Sequence, residues 1–259
     1  MTALLRAFGL GFGFQARELA VSTNAYFSLV SAPFFTITLL SMVTYSGRGD
    51  LASYAVVAPT LMTLWLAALM YAGEMISEDR EGGRLELLVA SPVSFPALLF
   101  GRLCGAMLLA LPAFGLSILA AGLVMDAWIT IHHPVLFVLT ALAVTVSTAA
   151  TAAAFSALFV LAPSARIVQN TLPMPVFVLS GVMVPITLFP GWLEAVGRLL
   201  YLSWGADLMR DALAPEAVEH AALRLLMVLA LGALGLLIGG ATIVRFLRRA
   251  RSEGTLSQV

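Results

Sequence analysis

Residues able to do chemistry are sparse in this sequence, and a dense group of them lies between positions 74 and 95, EMISEDREGGRLELLVASPVSF. Glu74, Glu78, Asp79, Arg80 and Glu81 come first, Gly82-Gly83 makes a turn, and Arg84 and Glu86 follow. Leu85, Leu88 and Val89 fall on one face of a helix with the charges on the rest, until Ser91-Pro92 stops it. Mixed charge beside a short apolar face suits docking against a soluble protein. The alternative is a solvated charged loop that only keeps topology.

Elsewhere the candidates thin out. His132-His133 lies near Asp126, but adjacent histidines point in different directions, which fits a loop better than a metal site. Cys104 is the single cysteine, so no intrachain disulfide forms, and its apolar surroundings suggest packing. No Ser-His-Asp or paired-carboxylate arrangement emerges, so no catalytic, cofactor-binding or metal residue is assigned. All 14 basic residues are arginine. A P-loop needs a lysine to neutralise terminal phosphates, so the chain is not expected to be an ATPase. A net charge of zero gives no pull toward nucleic acid.

The elements that must position these residues are apolar helices. The chain is 61% hydrophobic and 11% charged with a mean hydropathy of +0.99, too little charge to keep a soluble domain of 259 residues in solution. About 20 apolar residues cross a bilayer, and six such runs are predicted: 26–45, 53–72, 96–125 (interrupted by Arg102 and Pro112), 135–161, 168–186 and 221–244. They lack the alternation of barrel strands. With the N-terminus inside, ten arginines fall on inner segments and three or four on outer ones, which places both termini in the cytoplasm. Met1 to Ala20 has no apolar run with a cleavage site and does not read as a removable signal.

Three further segments complete the reading. In residues 1–25, Arg6 and Arg17 share one helical face and Phe8, Phe12 and Leu19 another, suggesting an interfacial helix; Gly9, Gly11 and Gly13 argue for an irregular lead instead. The fourth span is dense in Ala, Ser and Thr, which favours close helix packing; a sharper reading has Thr145, Thr148 and Ser156 bordering a substrate path. The outer stretch 187–220 carries Trp192, Tyr201 and Trp204, suited to a membrane interface, and five acids, Glu194, Asp207, Asp211, Glu216 and Glu219.

Two motifs resemble those of ABC-2 type transporter permeases, the drug- and antibiotic-exporter-like transmembrane subunits. SEDREGGRLELLVASPVS is similar to the loop between that family's second and third spans. LSGVMVPITLFPGWLEAVGRLLYLSWGADLMRDAL, 179–213, resembles its Ser-Gly-x-x-x-Pro end of span five, Pro-x-Trp-Leu turn and closing Arg-x-Ala-Leu. The sequence departs at Gly83-Arg84, where Gly-Thr is common, and at Tyr201 to Trp204, where a Pro-containing turn is usual.

The resemblance implies one all-α transmembrane domain over 1–259. It would have six transmembrane helices, an N-terminal interfacial helix over 1–25, a cytoplasmic coupling helix in the 74–95 loop and short outer re-entrant helices in 187–220. Glu78, Asp79, Arg80, Glu81, Arg84 and Glu86 would then touch a separate ABC ATPase subunit, with Gly82 permitting the turn, and ATP and Mg would sit on that partner. A second permease copy or a similar chain, membrane lipid and an amphipathic substrate such as a drug or secondary metabolite are the other expected partners. A lipid-linked glycan exporter and a non-transporting scaffold or sensor in the cell membrane are the alternatives.

Overall fold

The fourth apolar run opens at Pro134, whose fixed φ and missing N–H suit a first helical turn, and continues unbroken to Leu161. A computed structural model of the chain describes residues 2–19, 25–83, 88, 94–161 and 165–253. Among the described residues there are helices and no strands: α1 Thr2–Leu19, α2 Ala25–Tyr45, α3 Ala52–Glu81, α4 Phe95–Leu108, α5 Pro112–Met125, α6 Pro134–Leu161, α7 Ala165–Thr171, α8 Pro173–Leu179, α9 Gly191–Gly197, α10 Tyr201–Leu213 and α11 Ala221–Glu253. The run from Pro134 is α6, and it packs against α3, α4, α10 and α11. Helix α1 lies along α4, and α2 against α3 and α5.

By length and composition, four helical stretches can cross a bilayer: 49–75, 95–125, 134–156 and 221–242. Most residues of the first are buried inside the bundle, whereas few of the last are: α11 packs Leu225, Leu231 and Leu236 on the core and exposes Leu223, Leu226, Leu234, Leu237 and Ile238. A shorter apolar helix covers 29–45. The third expected span is bent where Pro112 cannot donate to the preceding turn, and Ala110 and Leu111 instead donate to carbonyls three residues back. The fifth expected span, 168–186, has different helix limits in the structure. Its helix starts at Ala165, is interrupted before Pro173 and ends at Leu179, a length of about 22 Å at the α-helical rise. Gly181, at φ +72°, then turns the chain into a 3-10 segment at 186–188.

Small residues set how closely the helices approach. A methyl group on Gly101 of α4 would overlap the backbone carbonyl of Phe8, and one on Gly11 of α1 would overlap that of Leu98. A methyl on Gly105 would stand 2.9 Å from the carbonyl oxygen of Phe12. Helix α1 is therefore regular, and of its three glycines Gly11 is the one the crossing requires. Glycine spacing works the same way on α11, where Gly232 meets Ser147 and Gly239 meets the backbone of Ala154. Ser147 Oγ donates to the carbonyl of Val228 at 2.9 Å, bridging the same pair of helices.

At the end of the bundle carrying residues 181–213, Arg210 ties three segments together. Its guanidinium donates to the carbonyl of Gly181 at 3.0 and 3.1 Å and to Asp207 at 3.3 Å, and stacks 4.0 Å over the ring of Tyr54 on α3. Burial pushes its pKa down, against the opposing pull of Asp207. Asp207 also takes Arg198 at 2.5 Å, Glu194 lies 3.8 Å from Arg198, and Asp211 holds Arg224 of α11 at 2.6 Å. Three of the five acids of this stretch are thus held in ion pairs. His132 and His133 each place a ring nitrogen on a backbone carbonyl, of Leu213 and Glu216, and so fasten the end of α10.

Two outcomes follow for thermal unfolding of the purified protein. Gly101→Val should destabilise by about 1–3 kcal/mol, because backbone rather than a flexible side chain stands in the way. Gly9→Ala, with open space around it, should be neutral or stabilise by up to about 1 kcal/mol; equal losses at both positions would refute the close crossing. Arg210→Lys should lose about 1.5–3 kcal/mol, since an ammonium cannot reproduce the fork onto Gly181 or the stacking on Tyr54.

Candidate functional site

The acidic segment that opens at Glu74 is largely a continuation of a helix. The second span was expected to end near residue 72, but α3 runs on to Glu81 because Met75, Glu78 and the residues after them are all compatible with helix. Gly82 still donates to the Glu78 carbonyl at 2.9 Å, and the left-handed conformation that closes the helix falls on Gly83, φ +63°, rather than on Gly82.

Helical spacing divides the charges. Ala72, Met75 and Asp79 share the inward face and are all buried, whereas Glu74 and Glu78 are exposed. Arg80 and Glu81 lie on the final turn and Gly82 is exposed just beyond it. Arg84 and Glu86, with the apolar residues Leu85 and Val89, lie outside the described residues. Leu88 is half-buried and packs against the core.

Asp79 accepts a hydrogen bond from Arg102 of α4 at 2.6 Å, with both side chains about 5% exposed. Arg102 Nε donates to Gln15 Oε1 of α1 at 3.1 Å, and the guanidinium lies 5.4 Å from the ring centroid of Phe14. Gln15 is itself buried. One guanidinium thus joins α1, α3 and α4 at the root of the charged segment. Charge and hydrogen bonding are both satisfied, so the site is built for holding; removing either ion would leave a buried unpaired charge at a cost of about 3–5 kcal/mol. The sequence reading treated Arg102 as an interruption of the third run and as one of the inner arginines that set the topology. A guanidinium seven residues into an apolar helix needs an acceptor, and that demand was the available signal.

The hydroxyls assigned to a substrate path are buried. Thr145, Thr148 and Ser156 each donate to the carbonyl four residues back, and Thr148 also accepts from the Tyr201 hydroxyl at 2.9 Å. Within one chain Thr148 and Ser156 are part of the packing of α6. Thr145 lines a small apolar cavity of about 160 Å³ between α1, α4 and α6, with Phe8, Phe12, Phe100 and Cys104.

Comparison with known proteins bears on the whole chain. A family model described as ABC-2 family transporter protein matches residues 13–242, which include Gln15, Asp79, Arg102 and the 181–213 stretch. No curated protein matches. A match over 230 of 259 residues, on an all-helical chain with four bilayer-length apolar helices, makes this membrane protein a member of the ABC-2 family of transporter proteins.

Proposed function

We propose that the chain is the permease subunit of an ATP-driven exporter that moves an amphipathic small molecule, such as a drug or secondary metabolite, across the cytoplasmic membrane. The observation that supports the reading is the family match over residues 13–242, which makes the chain a membrane transport subunit; a separate ATPase is the motor this reading assigns to it. The absence of lysine agrees with it, because nucleotide phosphates would find no P-loop here.

In this reading α2 and the α7–α8 pair complete six crossings, the pair being helped across by the 180–188 turn. The arginine bias puts both termini and the 74–95 segment in the cytoplasm. The segment acts as the coupling element, with Glu78, Arg80, Glu81, Arg84 and Glu86 offered to a separate ABC ATPase and Asp79 anchoring them from behind. ATP and Mg bind that partner, whose closure shifts the permease between access states. Six crossings make half a pathway, so a second copy or a similar permease completes it. The outward apolar surface of α11 is available to lipid or to that second chain. Thr145 borders the apolar cavity and is the best placed of the three hydroxyls to meet an amphipathic substrate; Thr148 and Ser156 would do so only after α6 repacks.

Affinity purification of the tagged chain from its native membrane tests the partnership, with Glu78→Arg and Arg80→Glu as variants on the last turns of α3. Wild type should bring down a protein with Walker motifs. Each charge reversal should weaken that association or the substrate-stimulated ATP hydrolysis by about tenfold, the effect of roughly 1.4 kcal/mol at a docking contact. Retention of an ATPase whose turnover no substrate changes would mark a scaffold instead. Full efflux by both variants without any associated ATPase would sink the permease reading.

A further inference from the structure

The buried pair Asp79–Arg102 occupies a particular place in the chain. Its two residues flank positions 82–94, Asp79 before them on α3 and Arg102 after them on α4, 23 positions later. A salt bridge across the root of a loop fixes the distance between the strands of chain that enter and leave it. The third member, Gln15, belongs to neither strand. It brings in α1, which has no covalent reason to follow the loop.

The contact with α1 is stiff. Gly11, Gly101 and Gly105 bring the backbones of α1 and α4 so close that any added methyl meets backbone. A helix pair that interlocks in this way moves as one body or separates; it has no soft intermediate. Ionic geometry adds direction, since a guanidinium holding one acceptor on α3 and another on α1 transmits a displacement of either.

We propose that Asp79, Arg102 and Gln15 form the joint through which movement of the 82–94 segment reaches α1 and α4. They are positioning residues: none needs to touch ATP, the ATPase or the substrate. The inference rests on the coupling role proposed above for that segment. It goes beyond that proposal in giving the anchor Asp79 two partners, Arg102 and Gln15, and in making α1 a moving part of the machine.

Cys104, the single cysteine, is a built-in reporter. It lies two residues from Arg102 and lines the cavity that Phe8 and Phe12 of α1 close. Movement of the α1–α4 pair against α6, which contributes Thr145 and Val146 to that cavity, changes its exposure. The experiment measures alkylation of Cys104 by a small maleimide in the membrane-embedded complex, with and without ATP and vanadate to trap the ATPase. In wild type, trapping should change the alkylation rate by about threefold or more. Asp79→Asn and Arg102→Gln should abolish the change while the ATPase still co-purifies. The exchanged pair Asp79→Arg with Arg102→Asp should restore it. Gln15→Leu, which keeps the ion pair and threatens folding least, should reduce the change by removing the acceptor through which Arg102 acts on α1.

Several results overturn the joint. One is a wild-type complex whose Cys104 ignores nucleotide; another is a set of variants whose Cys104 responds as wild type does. A third is loss of the folded complex in Asp79→Asn and Arg102→Gln together with an unaltered response in Gln15→Leu, which would leave the cluster a purely structural clamp. If no ATPase accompanies the wild-type chain, the permease reading fails first and the joint falls with it, an outcome recognisable before any variant is made.

Discussion

Close backbone approach through small residues is the constraint on which the rest of this structure depends. Lipid tails are as apolar as leucine side chains, so burial of hydrophobic surface does not by itself hold membrane helices together; interdigitated packing and a few internal hydrogen bonds must. Helix α6 meets that demand with alanine, serine and threonine along its length, and Ala149, Ala150, Ala152 and Ala153 are all buried. Gly232 and Gly239 of α11 fit into this surface, and Gly205 of α10 fits against Val144. The glycines of α1 and α4 repeat the solution at the edge of the bundle. Because so much contact is backbone on backbone, the helix positions are discrete rather than continuously adjustable.

Charge is handled on the same terms. The described ionic groups inside the bundle sit at its two ends and are paired: Arg102 with Asp79 at one, Arg210 with Asp207 at the other. Each guanidinium also reaches uncharged acceptors, Gln15 in the first case and the Gly181 and Ala206 carbonyls in the second. Arginine suits both places, because its planar fork can hold several acceptors on different elements at once.

The apolar runs were legible in the sequence wherever length and composition sufficed, as for α6 and for the body of α3. The ends of elements were not. EDRE after residue 77 reads as loop by charge, yet its residues tolerate helix, and the true stop is the left-handed Gly83. Residues 168–186 read as a span by hydropathy, while Pro173 and Gly181 shorten the helix. The glycines of α1 carried opposite meanings by context: Gly9 and Gly13 face open space, whereas Gly11 permits the crossing with α4. Spacing along one helix cannot express that, since the partner backbone lies some 90 positions away. The ion pairs were hidden for the same reason. Asp79 looked like a surface residue among other acids, and only its phase relative to Ala72 and Met75 separates it from Glu78.

Helix α3 gives these local arrangements a common axis. It carries Tyr54, under Arg210, near one end and Asp79, against Arg102, near the other, and it also packs against α6. Residues 54 and 79 are 25 positions apart, about 38 Å along a straight helix, which exceeds the hydrocarbon thickness of about 30 Å. Pro59 lies within the helix but does not end it. An axial shift of α3 at Asp79 cannot be absorbed by stretching thirty residues of hydrogen-bonded backbone, so it must appear at Tyr54 as well. There it meets a guanidinium that holds the Gly181 turn. The two polar clusters, which share no residue and lie at opposite ends of the bundle, are therefore joined by one continuous helix.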